Sequence, residues 1–175
     1  MQKIATVTVG AGGVTSVDFT SIPQTYTDLV IYSSARTAEA AFGATIYVQF
    51  NGDTTAGNYL YYRLLGDGSA VSSSTGNTYF FAGYCTAATA TANTFGSAVC
   101  TISNYAGSTI KIGSTDSISE NNAASAYAAI HASKWTGTSP ITSIKLQTPS
   151  GSTFVQYSTF TLYGITKGTG GATAA

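Results

Sequence analysis

The sequence predicts an all-β protein, a jelly-roll-like antiparallel β-sandwich, on three observations. Aromatic and β-branched residues recur at every second position, the spacing of strands that bury one face. Glycine-rich turn signals separate these runs, and no segment shows the apolar stripe of an amphipathic helix. Short strands with frequent glycine turns favour a sandwich or barrel over any α/β fold. Strand order is not readable at this level, so an immunoglobulin-like sandwich stands as the alternative. The chain has no long internal repeat, which argues against a propeller or β-helix.

Read in order, residues 3–9 alternate as a first strand and end at Gly10-Ala11-Gly12-Gly13, followed by a short strand at 14–19. The motif Gly10-x-Gly12-Gly13 resembles a phosphate loop only superficially, because no helix or lysine follows, and it reads as a turn. Pro23 fixes a turn before a strand at 26–34, with Leu29 and Ile31 on one face. Residues 45–50 place Ile46, Val48 and Phe50 on a core face, and Asn51-Gly52-Asp53 is a strong turn signal. A tyrosine-rich strand at 58–65 ends at Gly66-Asp67-Gly68, and residues 69–77 read as a polar loop. Tyr79-Phe80-Phe81 is strand-like, whereas 82–93 is open to a strand, a loop or a short helix. Strands are expected at 97–103 and 109–113, with an exposed loop at 116–125. Residues 126–135 set Tyr127, Ala129, His131, Ser133 and Trp135 on one face. Segments 141–147, 154–157 and 159–165 complete nine to eleven strands. Residues 1–165 thus form one domain, and 166–175 have almost no core-forming side chain and read as a flexible tail.

Composition bounds the function. Only 8% of the 175 residues are charged, seven basic against seven acidic, so the net charge is zero. A free soluble domain carries about 25% charged residues, and so little here opposes self-association. Such a chain reads as a building block of an assembly. Lysines and arginines stand singly, which argues against nucleic-acid binding. No run approaches the roughly 20 apolar residues of a membrane-spanning helix. The N-terminal segment lacks the apolar core of a signal peptide, so synthesis and assembly in the cytoplasm are expected, with leaderless secretion or release by lysis still open. Cys85 and Cys100 are not in a Cys-x-x-Cys pair and read as reduced packing residues, although their spacing does not exclude a bridge.

Catalytic chemistry finds little support. His131 is the only histidine and reads as structural or surface-exposed. No Gly-x-Ser-x-Gly elbow is present. Asp53, Asp67, Asp116 and Glu120 fall in predicted loops, where solvation is their ordinary role, and Asp116-x-x-x-Glu120 lacks EF-hand spacing. No enzyme activity, cofactor or metal is therefore expected. The candidate functional residues are Tyr59, Tyr61 and Tyr62, with Tyr59 and Tyr61 on one strand face and Tyr62 on the other. Tyrosine suits an oligomer or partner interface, a sugar-binding surface, or core packing. Trp135, Phe160 and Leu162 are the suspected core anchors.

Several blocks carry a resemblance. These are Phe19-Thr20-Ser21-Ile22-Pro23-Gln24-Thr25-Tyr26-Thr27-Asp28-Leu29, Phe50-Asn51-Gly52-Asp53 with Asn58-Tyr59, and Ser158-Thr159-Phe160-Thr161-Leu162-Tyr163-Gly164-Ile165. Ile102-Ser103-Asn104-Tyr105, and Trp135 followed by Pro140-Ile141-Thr142-Ser143-Ile144, extend it over most of the chain. With these the chain resembles small jelly-roll virion proteins of tailed bacteriophages, which serve as capsid cement (decoration) proteins or as tail-associated modules. The resemblance implies a homotrimer on the outer capsid surface, bound to the major capsid protein. Its alternative is a tail component that contacts a host-surface glycan. It supplies no catalytic residue.

Overall fold

A computed structural model describes residues 1–120 and 126–166. The chain folds into an antiparallel β-sandwich with no α-helix among the described residues. Its strands are β1 (Gln2–Thr8), β2 (Ser16–Phe19), β3 (Asp28–Ala35), β4 (Gly43–Phe50), β5 (Tyr59–Gly66) and β6 (Val71–Gly76). They continue with β7 (Phe80–Thr86), β8 (Gly96–Ser103), β9 (Lys111–Glu120), β10 (Ala126–Trp135), β11 (Ile144–Gln147) and β12 (Thr159–Ile165). The larger sheet has eight strands in the order β1-β12-β3-β8-β9-β10-β5-β6, and the smaller has four in the order β2-β11-β4-β7. The repeated crossing of the chain between sheets is consistent with the jelly-roll class.

The core lies between the sheets and follows from alternation. Ile46, Val48 and Phe50 of β4 are fully buried, and they join Val17, Phe19, Ile144 and Leu146 in one cluster with Leu29, Ile31, Cys100, Ile102, Phe160 and Leu162. At the end of β4, Asn51 and Gly52 both take positive φ (52° and 72°), and the Asp53 amide returns to the Phe50 carbonyl at 2.9 Å. Cys85 and Cys100 are buried free thiols, and loss of hydration pushes them up to about 12 and about 11 respectively.

The smaller sheet ends on β7, whose seven residues are all buried. An edge strand leaves unpaired backbone groups, which burial would penalise. Side chains of the larger sheet meet them: Thr115 donates to the Phe81 carbonyl at 2.8 Å, and the Phe81 amide donates to Ser133 at 3.2 Å. The β4–β7 register shifts beside Ala82 and Gly83, where Gly83 has a φ of 130°. A Cβ at Gly83 would lie 2.4 Å from that of Ala98, so only glycine lets β7 approach this closely.

Several sequence expectations change. Residues 69–77 were expected as loop, yet 71–76 form β6, paired along β5. The run Ser72-Ser73-Ser74 has no apolar alternation, so backbone pairing holds it there. The Asp67 carboxylate shapes the hairpin by accepting the Ser69 and Ala70 amides at 2.9 and 2.8 Å. Residues 116–120 belong to β9 instead of an exposed loop, and 121–125 lie outside the described residues. Residues 154–157 are not a strand: Phe154 makes isolated bridges to Val14 and Thr37, and Tyr157 turns to positive φ. The ambiguous stretch 82–93 continues β7 and then turns, its carbonyls gathered by the buried Arg36 guanidinium at Thr91 (2.7 Å) and Ala90 (3.0 Å). The expected tail lies outside the described residues from 167 onward.

Candidate interaction surface

The notable surface is the outer face of β9, β10, β5 and β6. Strand β10 points Ala129, His131, Ser133 and Trp135 inward, leaving Ala128, Ile130 and Ala132 on the outside. Its neighbour β9 inverts the usual polarity. Thr115, Ser117 and Ser119 point inward and are buried, while Ile112 and Ile118 point to solvent. Bonding of Thr115 and of Ser133 on the next strand to β7 explains part of this, because the inner face here must offer hydroxyls to an edge strand.

Antiparallel register lines the outward residues in rows. Leu64, Ile130 and Asp116 form one row; Tyr62, Ala132 and Ser114 the next; Leu60, Lys134 and Ile112 a third. Two shallow hollows flank Tyr62. One of about 510 Å³ lies over Ile112, Ser114, Ala132 and Lys134, and one of about 540 Å³ over Leu64, Ser73, Thr75 and Ile130. Tyr62, Leu64, Val71, Ile112, Ile118 and Ile130 are between 52% and 81% exposed. Scattered exposed apolar residues are ordinary, but a contiguous group on one sheet face marks an interaction site.

The three candidate tyrosines separate. Tyr62 is exposed on this face. Tyr61 is half-buried on the opposite face, edge-on to Phe81 with ring centroids 4.4 Å apart. Tyr59 is buried in the core beside Phe50, so it is removed from any interface. Its hydroxyl donates to the Asp53 carbonyl at 2.9 Å and accepts the Phe50 amide, and burial raises its phenol to about 12. Trp135 is buried, its ring 5.4 Å from Phe50, and Phe160 and Leu162 are fully buried.

Asp53 corrects the reading of a merely solvated loop carboxylate. Its Oδ2 accepts the Trp135 indole N–H at 2.7 Å and the Asn58 amide at 2.8 Å, while Oδ1 accepts the Thr55 backbone amide at 2.9 Å. Burial works to raise its pKa, but these donors outweigh it and hold the carboxyl at about 2.

His131 is buried, stacked on Phe81 at 4.5 Å with an interplanar angle of 11°, and among the described residues neither ring nitrogen has a hydrogen-bond partner. Loss of hydration, and then the Arg63 charge, lower it to about 4. Arg63 stands opposite it on β5 and donates to the Tyr84 hydroxyl. Among the described residues no group of three His, Cys, Asp or Glu side chains could hold a metal ion, and no helix is long and apolar enough to cross a membrane. Asp116, exposed on β9, stands in the outer face.

Sequence reasoning found Tyr62 but missed Ile112, Ile118, Ile130 and Leu64. The available signal was Lys-Ile-Gly-Ser-Thr-Asp-Ser-Ile-Ser-Glu at 111–120, where the isoleucines share a parity with Ser114 and Asp116 while Thr115, Ser117 and Ser119 hold the other. Fold and surface together define an all-β sandwich with one broad apolar outer face. Comparison of the chain with protein-family models, with curated proteins and with solved structures returns no match.

Proposed function

We propose that this chain is a bacteriophage capsid cement (decoration) protein, a non-enzymatic structural subunit that reinforces the assembled shell through non-covalent contacts. The observation that supports it is the apolar outer face of β9, β10, β5 and β6, which a solitary subunit leaves in water. The resemblance described above supplies the virion setting: a homotrimer on the outer capsid surface, seated on the major capsid protein and assembled in the host cytoplasm. The low charge fits a subunit held among neighbours. Reinforcement is mechanical in this reading. Many modest contacts, each present only in the assembled shell, shift the equilibrium toward the intact shell by mass action and multivalency. No cofactor takes part.

Density mapping of intact virions, combined with binding to purified tailless shells, tests this. Density at regular capsid positions and retention on expanded shells are expected. Density confined to the tail, with no shell binding, would replace cement by the tail-associated, glycan-contacting role.

A further inference from the structure

We infer that the outer face of β9, β10, β5 and β6 is covered by a second copy of this chain. The inference deepens the subunit role proposed above and rests on it, but its test needs no shell.

Tyr62, Leu64, Val71, Ile112, Ile118 and Ile130 leave on the order of 600 Å² of apolar side chain in water. A standard interface takes about 800 Å² from each partner. Leu60, Ala128, Ala132 and the Lys134 stem lie among these residues and add to the face.

Charge then selects the occupant. Lys134 on β10 and Asp116 on β9 stand on this face, on adjacent strands and two side-chain rows apart. Neither side chain has a partner among the described residues. A uniformly acidic or basic partner would set one of them against like charge, whereas a second copy of the same face answers both. A two-fold axis crossing the strands between Ala132 and Ser114 lays Lys134 of each copy on Asp116 of the other. Ala132 and Ser114 at that crossing are small, and Tyr62, next in the same row, meets its own counterpart beside the axis. A closed ring forms the same pair once per contact, so the measured mass sets the number of copies.

Sedimentation of the purified full chain, with and without substitutions, tests this. The wild type is expected to self-associate at micromolar concentration, and Ile130→Asp to weaken that association by at least about tenfold. Lys134→Glu and Asp116→Lys should each weaken it roughly fivefold, and their combination should restore it to within about threefold of wild type. Circular dichroism and the thermal midpoint confirm that each variant folds. Should Ile130→Asp not fold, the charge-reversal set still decides. A wild type monomeric to roughly 100 µM, single reversals without effect, or a double variant without rescue overturns the inference. A monomeric chain that binds tailless shells overturns it while leaving the cement role. A self-associating chain that binds no shells does the reverse.

Discussion

At the scale of single residues, His131 and Asp53 are polar groups whose surroundings make them pH-sensitive in different windows. His131 is neutral when folded because burial without partners disfavours the imidazolium. Its folded pKa, about 4, lies below the value of 6.5 expected for an unfolded chain. The unfolded state therefore takes up a proton first, so stability is full above pH 6.5 and falls as pH drops toward 4. That shift corresponds to about 3 kcal/mol. Chemical denaturation across this window should show the loss, and His131→Phe, which keeps the stack on Phe81, should flatten it. Asp53 acts lower. Its folded pKa is depressed, so its contribution is complete above pH 3.8 and disappears as pH falls through about 2. At neutral pH, Asp53→Ala leaves the Trp135 indole N–H without its acceptor, and the expected loss of roughly 1–3 kcal/mol is measurable as a lower denaturation midpoint.

At the scale of elements, β7 shows how an edge strand becomes buried. Its backbone is served partly by β4 and partly by hydroxyls from β9 and β10, and its close approach depends on Gly83. Gly83→Ala meets both a positive φ and the Ala98 side chain, and should destabilise the fold by roughly 2 kcal/mol or more. Thermal unfolding would register this as a lower midpoint with secondary structure retained below it; an unchanged midpoint would mean that β7 can retreat from the larger sheet. The same packing explains why β9 was not recognisable as a long strand. Its buried residues are Lys111, Thr115, Ser117 and Ser119, so the polar-inside pattern reads as a loop until the edge strand that takes the Thr115 hydroxyl is in place. Strand β6 was hidden for a related reason, since a serine run paired through its backbone has no side-chain periodicity to read.

At the scale of the whole molecule, β12 joins β1 to β3, and its Phe160 ring lies 4.9 Å from Phe154 across the core. Phe160→Ala removes a fully buried ring and should destabilise the domain by roughly 3–5 kcal/mol, enough to unfold a marginal chain. Loss of soluble protein, or a large fall in denaturation midpoint, is the expected readout; an unchanged midpoint would exclude Phe160 as a core anchor. The β-sandwich class was legible without coordinates, because period-two alternation in β4, β10 and β12 and the Asn51-Gly52 turn are local features that any packing must respect. The amino-acid order also determined that Trp135, Phe160 and Leu162 had to find a core. Which tyrosine faces water was decided only in three dimensions: Tyr59 and Tyr62 differ in burial because the smaller sheet covers one face of β5 and nothing among the described residues covers the other. The isoleucines of β9 became an exposed surface for the same reason. Alternation says that two faces differ, but only the stacking of one sheet on another says which of them is inside.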